Sequence, residues 1–406
     1  MSFKGKGNIE DKKDLEGERR KKMKRLKALI KMELRPALLI AAYFLLVDLF
    51  VLLTIRGQIQ DTWRGFLKYG IENFMQYNDG LSVADFFTES ILYALLFSII
   101  GMMALVYVSF KNDKSIEIGR FLKSLPYTVK ERCLTKMGVG IVTFTVTYVF
   151  YVIGMLALHM SYLNRFNEIY RVTILSEVYN QICDRGELIK VLILVYVACI
   201  AIYLFCMVFQ YIVSNRLGAI IVAALVYLSP VFILNSLSAY VSVRYVNVIY
   251  EKIIYPLTEW LNKLIVVFTY LEWGEISINS STATNITMSM SDNIITEYIY
   301  ISLIGYRMAF YGAVALLSLV AILKLCVAER IEKSDYFIPS KWFRGIFTCG
   351  VTICGGLLLG DIYCIYLNGT NMGMIYGLLI FGGIMSFLIA RKIASMGMRK
   401  GKEVHI

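Results

Sequence analysis

The stretch IKVLILVYVACIAIYLFCMVFQYIVSNRLGAIIVAALVYLSPVFILNSLS, residues 189–238, decides the fold. Its first apolar run, 189–213, and its second, 217–238, are each long enough to cross a hydrocarbon core of roughly 30 Å as a helix. Only Ser214, Asn215 and Arg216 separate them. A three-residue connection forces the two helices to lie side by side and antiparallel, so this piece of the chain reads as a transmembrane hairpin.

The rest of the sequence has the same character. Of 406 residues 58% are hydrophobic and only 18% charged, with mean hydropathy +0.62. A soluble fold of this length could not hide so much apolar side chain. Further runs of spanning length occur at 37–55, 89–110, 137–160, 308–327, 347–367 and 372–393. The expectation is an all-α polytopic bundle of about eight transmembrane helices. The last two runs, joined by 368–371, form a second tight hairpin.

Orientation follows from lysine and arginine. With the N-terminus in the cytoplasm, about 31 of the 42 basic residues fall on that side and about 11 on the other. Both termini are then cytoplasmic. The net charge of +12 belongs to the ends of apolar runs rather than to one basic domain, which argues for a membrane surface and against nucleic acid. Five of the eight cysteines (Cys199, Cys206, Cys326, Cys349 and Cys354) lie inside apolar runs as small hydrophobes. Cys183 and Cys364 lack the spacing of a disulfide framework.

The organisation expected is a basic tail and interfacial helix (1–36), a six-helix core (37–327), a cytoplasmic loop (328–346), a terminal hairpin (347–393) and a short tail (394–406). No cleavable signal is expected in the tail, because Lys and Arg dominate it before any apolar run begins. It reads as a disordered start followed by a helix on anionic headgroups, turning at Pro36 into the first span. Outside, 56–88, 161–187 and 239–306 read as long loops. The longest carries an amphipathic segment around Trp260, a Ser/Thr/Asn-rich stretch at 276–293 and an N-glycosylation sequon at Asn285 and Thr287.

The cytoplasmic loop 111–136, KNDKSIEIGRFLKSLPYTVKERCLTK, is the most informative segment. Ile116, Phe121, Leu122 and Leu125 give one apolar stripe on a short helix, with Glu117, Arg120 and Lys123 for polar contacts. Pro126 ends that helix. Thr128 and Glu131 then have capping-box spacing, so a second helix starts at Thr128 and runs into the third span. Such an element is either a rigid lever for a moving partner or a solvated connector.

Phe121, Leu122, Ser124, Leu125, Pro126, Thr128, Lys130 and Glu131 resemble the F-L-x-S-L-P pattern in the first cytoplasmic loop of type-2 ABC exporter permeases. The segment 328–347 is similar to a second cytoplasmic loop of a subgroup that includes acetoin-utilisation-like exporters of Gram-positive bacteria, through Arg330, Glu332 and Lys333. Ser334 and Asp335 depart from that subgroup's usual Ala-Gly. The resemblance implies a coupling helix formed by Glu117, Arg120, Phe121, Leu122, Leu125, Pro126 and Glu131. It implies further a separately encoded ATPase that binds the ATP, a second permease subunit in a homodimer or heterodimer, and a plasma-membrane location.

Two carboxylates lie inside apolar runs, Asp48 in the first and Asp361 in the seventh. A charge near the bilayer centre is costly, so each either lines a translocation path, pairs with a basic group, or reaches outer water. His159 reads as an interfacial anchor. Gly356 with Gly360, and Gly373 with Gly377, are small-xxx-small pairs suited to close helix packing. The sequence holds no G-x-x-x-x-G-K-[ST] phosphate loop, no H-E-x-x-H or G-x-S-x-G motif, and no clustered metal ligands. The chain is therefore expected not to be an enzyme and to hold no cofactor of its own. Two functions from other classes stay open: a sensory or interaction protein with ligand-binding outer loops, and a membrane enzyme without familiar motifs.

Overall fold

The computed structural model describes residues 7–77, 83–114, 124, 127–172, 185–244, 250–257, 260, 304–328, 337–338, 340–366 and 371–395. Among these there is no strand. The helices are α1 (Gly7–Tyr77), α2 (Val83–Ser109), α3 (Val129–Val172), α4 (Arg185–Ile212), α5 (Arg216–Arg244), α6 (Ile304–Ala328), α7 (Lys341–Asp361) and α8 (Met372–Ala394). A short π-helical turn, Tyr250–Ile254, follows α5, and another, Ile362–Tyr366, continues α7. Seven helical stretches are long and apolar enough to cross a membrane. The remaining expected span, 89–110, coincides with α2 up to its end at Ser109, and the apolar described stretch there is the shorter Tyr93–Ser109. The chain is thus an all-α bundle of the multi-pass membrane type.

Helix α1 shows how the bundle is built. Leu29, Glu33, Ala37, Phe44, Asp48, Val51, Ile55 and Ile59 are buried and recur at three, four or seven residues, the spacing of one helical face. On its other faces Leu38, Leu39, Leu46, Phe50 and Leu53 are exposed, an arrangement that water would penalise and lipid accepts. The core is formed by the inner faces of α1 to α4 and α6, with Ala223 and Tyr227 added from α5. Helices α7 and α8 pack chiefly on each other, and α7 meets α5 and the end of α4, so the terminal hairpin is a satellite rather than part of that core.

Helices α1 and α3 run parallel in a fixed register. Glu33 meets Lys136 and Leu52 meets Gly154, offsets of 103 and 102 residues that hold across most of the bundle. A Cβ at Gly154 would stand 2.5 Å from Leu52 Cδ1, so the glycine is what allows the helices to approach this closely.

Several sequence expectations need correction. The chain is expected to turn at Pro36 into the first span, but α1 is one helix of 71 residues that passes through Pro36 unbroken; residues 1–6 of the tail lie outside the described residues. Proline forfeits one backbone hydrogen bond, at a cost of about 3 kcal/mol. Burial of the apolar Leu29 and Ala37 on the same face works against that loss. Loops expected at 56–88, 161–187 and 239–306 are shorter than read, because α1, α3 and α5 continue to Tyr77, Val172 and Arg244. A polar composition marks where a helix leaves lipid, not where its hydrogen bonding ends. The tight hairpin at 214–216 is as expected, with α5 starting at Arg216. The sequon at Asn285, Cys183 and the Arg330–Glu332–Lys333 motif lie outside the described residues.

Candidate functional site

The best-defined polar site lies where the 111–136 loop joins the bundle. Thr128 and Glu131 form the expected capping box at the start of α3. The Thr128 N–H donates to Glu131 Oε2 at 3.0 Å, and the Glu131 N–H donates to Thr128 Oγ1 at 3.1 Å. The reciprocal pair satisfies two backbone donors and fixes the angle at which the loop enters the helix. Of the other proposed coupling residues, Glu117, Arg120, Phe121, Leu122, Leu125 and Pro126 lie outside the described residues; Ser124 is helical and exposed.

Two turns into α3, Lys136 is 3% exposed. Its ammonium meets Glu33 Oε1 of α1 at 2.7 Å, donates to the Ser109 carbonyl at the end of α2 at 2.6 Å, and faces Asp113 Oδ2 at 3.4 Å. Three oxygens for three N–H donors leave the cation fully occupied. The Phe110 ring lies beneath it, 5.5 Å from Nζ to centroid. Glu33 is itself 7% exposed, so removing either partner strands a charge away from water. The Tyr203 hydroxyl of α4 donates to the Lys136 carbonyl at 3.2 Å, binding a fourth helix to the same point.

The start of the loop is tied down next to this cluster. Lys114 donates through Nζ to the Val213 carbonyl, in the turn between α4 and α5. The following residue, Ser214, donates its N–H to the Phe337 carbonyl at 2.9 Å. Phe337 and Ile338 pack with Val213, Ala219 and Val222, so the segment before α7 joins the same end of the bundle. Arg216 lies over the Tyr107 ring of α2 at 5.0 Å. Lys114, near the start of the 111–136 loop, and Phe337, just before α7, therefore both meet the α4–α5 turn.

Asp48 and Asp361 are not brought together with that junction or with each other. Asp48, 4% exposed, sits in the buried stripe of α1 and faces α3 and α4. Asp361, 8% exposed, ends α7 and accepts a hydrogen bond from the Ser236 hydroxyl of α5; its Oδ1 is buried without a hydrogen-bond partner among the described residues. Neither carboxylate pairs with a described basic residue. His159 is 2% exposed and so packs against neighbouring helices.

The glycine expectation is partly corrected. Close approach of α7 to α8 runs through Gly355 and Gly356 against Gly382 and Gly383, not through Gly373 and Gly377. A Cβ on Gly382 would lie 2.8 Å from the Gly355 carbonyl, whereas one on Gly377 would meet nothing within 4 Å.

Sequence reading missed the Glu33–Lys136–Asp113 cluster, and it missed Arg307, 1% exposed at the start of α6. A signal existed for the first: Glu33 shares the heptad-like face of Leu29 and Ala37, which is a core face. No protein-family model, curated protein or solved structure matches the chain.

Proposed function

We propose that this chain is the membrane-spanning permease subunit of an ATP-driven exporter, crossing the plasma membrane eight times with both termini in the cytoplasm. The observation that carries the reading is the buried Lys136, which holds the far end of the 111–136 loop to α1 and to the end of α2 at once. A solvated connector would not require a desolvated charge cluster at its root. A loop that transmits force would, because displacement must enter several helices without dissipating in slack.

On this reading a nucleotide-binding ATPase seats on the segment around Phe121 and Leu125. Its closure on ATP pushes the loop, and the motion passes through the Thr128–Glu131 cap into α3 and through Lys136 into α1. Two permease subunits and two ATPases make up the working unit. ATP chemistry belongs to the partner, since the chain carries no phosphate loop.

The test is affinity purification of the full chain from its native host, with mass spectrometry of what accompanies it. A phosphate-loop ATPase in stoichiometric amount is expected with the wild type and lost with Phe121→Asp/Leu125→Asp. A wild-type chain that purifies without such a partner, or a double variant that retains it, would refute the proposal.

A further inference from the structure

Asp48 stands 15 residues beyond Glu33 on α1, about 22 Å further along the helix and so deep in a bilayer core. It occupies the one face of α1 that lipid does not reach. Among the described residues no hydrogen bond or ion pair satisfies it, although a buried carboxylate ordinarily has one. The α1–α3 register places Tyr151 across from it, with Tyr148 and Cys199 close by on α3 and α4. Tyr151 is 0% exposed, and its hydroxyl too has no hydrogen-bond partner among the described residues. Two polar groups on facing helices are thus left unsatisfied at one level of the core.

Aromatic rings surround that level. Phe44 lies one turn from Asp48 on α1 and meets Phe144 edge-on at 5.2 Å. Phe144, Tyr148 and Tyr196 stack or tilt against one another at 5.3 to 5.9 Å, and Tyr148 meets Tyr151 at 5.7 Å. Of these hydroxyls, Tyr148 donates to the Leu192 carbonyl and Tyr196 is shared with Thr145. Tyr151 alone among them keeps its oxygen for another group. A carboxylate, a spare hydroxyl oxygen and several ring faces are the components that recognise an organic cation.

We propose that the Asp48–Tyr151 level of the α1–α3–α4 core binds the ammonium head of an amphipathic molecule, whose alkyl tail lies among the apolar helices. The ammonium donates N–H to the Asp48 carboxylate and to the Tyr151 oxygen, and its charge faces the Phe44, Phe144 and Tyr148 rings. A neutral head can donate a hydrogen bond but does not compensate the Asp48 charge, and an anionic head sets a second negative charge beside it. That this molecule is cargo rests on the exporter reading; the binding itself does not.

The experiment uses the purified full chain in nanodiscs of zwitterionic lipid, without ATPase or nucleotide, with radiolabelled dodecylammonium as the probe and dodecanol as its uncharged counterpart. Saturable dodecylammonium binding is expected, weakened about tenfold or more in Asp48→Asn and less in Tyr151→Phe, with Asp48→Glu close to wild type. Dodecanol should not distinguish wild type from Asp48→Asn. Equal dodecylammonium binding by wild type and Asp48→Asn would overturn the proposal, as would the same Asp48 dependence for dodecanol. If Asp48→Asn does not yield a monodisperse protein, unchanged binding by Tyr151→Phe overturns it instead. Because no partner is present, a chain that binds the probe but captures no ATPase sinks the exporter reading and leaves this site standing.

Discussion

Replacing Lys136 by Met tests whether the loop is anchored by charge or only by packing. Methionine keeps the length of the side chain, so the change removes the ammonium and little else. Glu33, 7% exposed, would then lose its ion-pair partner and keep only the more distant Arg132, a loss put at about 3–5 kcal/mol for a broken buried pair. Neutralising Glu33 as well, in Glu33→Gln/Lys136→Met, removes the stranded charge. What remains is the lost bond to the Ser109 carbonyl, about 1–2 kcal/mol, and the longer contact to Asp113, whose carboxylate is 25% exposed and can turn to water. The double variant should therefore be more stable than the single one, an ordering that packing alone does not produce. Glu33→Gln by itself should cost least, because Lys136 still meets Asp113 and Ser109. The assay is the fraction of monodisperse protein surviving a temperature series in detergent, read by size-exclusion chromatography. If the double variant melts below Lys136→Met, the cluster is not an ion pair in energetic terms and the anchoring argument fails.

Three further outcomes are expected. Thr128→Ala removes one side of the capping box and should cost about 1 kcal/mol, seen as faster hydrogen exchange confined to the first turn of α3; exchange unchanged there would refute the cap. Gly382→Val should lower the thermal midpoint by separating α7 from α8, while Gly377→Val, with nothing within 4 Å of its Cβ, should stay within about 0.5 kcal/mol of wild type. Ser236→Ala leaves the Asp361 carboxylate without its donor and should cost about 1–3 kcal/mol, a penalty that largely disappears in an Asp361→Leu background when both are compared by the same heating assay.

Helix positions were legible because transmembrane segments declare themselves by length and apolarity, and the 214–216 turn by having no room for anything else. The Thr128–Glu131 cap was legible for a similar reason: two residues at a fixed spacing satisfy each other locally. Helix ends outside lipid were not, since Gln, Arg, Asp and Lys beyond residue 56 are compatible with helix and loop alike. The Glu33–Lys136 pair joins residues 103 apart, and nothing local in the sequence announces such a meeting. Of the glycines, periodicity pointed to Gly356 correctly, but the partner face on α8 depends on the rotation of that helix, which four-residue spacing leaves open.

The unbroken α1 has a geometric consequence. Seventy-one residues at about 1.5 Å each make a rod of about 105 Å, more than three times a hydrocarbon core of roughly 30 Å. From Trp63, which still packs against the core, the helix runs on for about 21 Å to Tyr77. A swing of about 10° around the Leu52–Gly154 contact would carry that tip sideways by roughly 6 Å. Small adjustments at the Lys136 end would be enlarged at the far surface, as the end of an oar travels further than the hand that moves it.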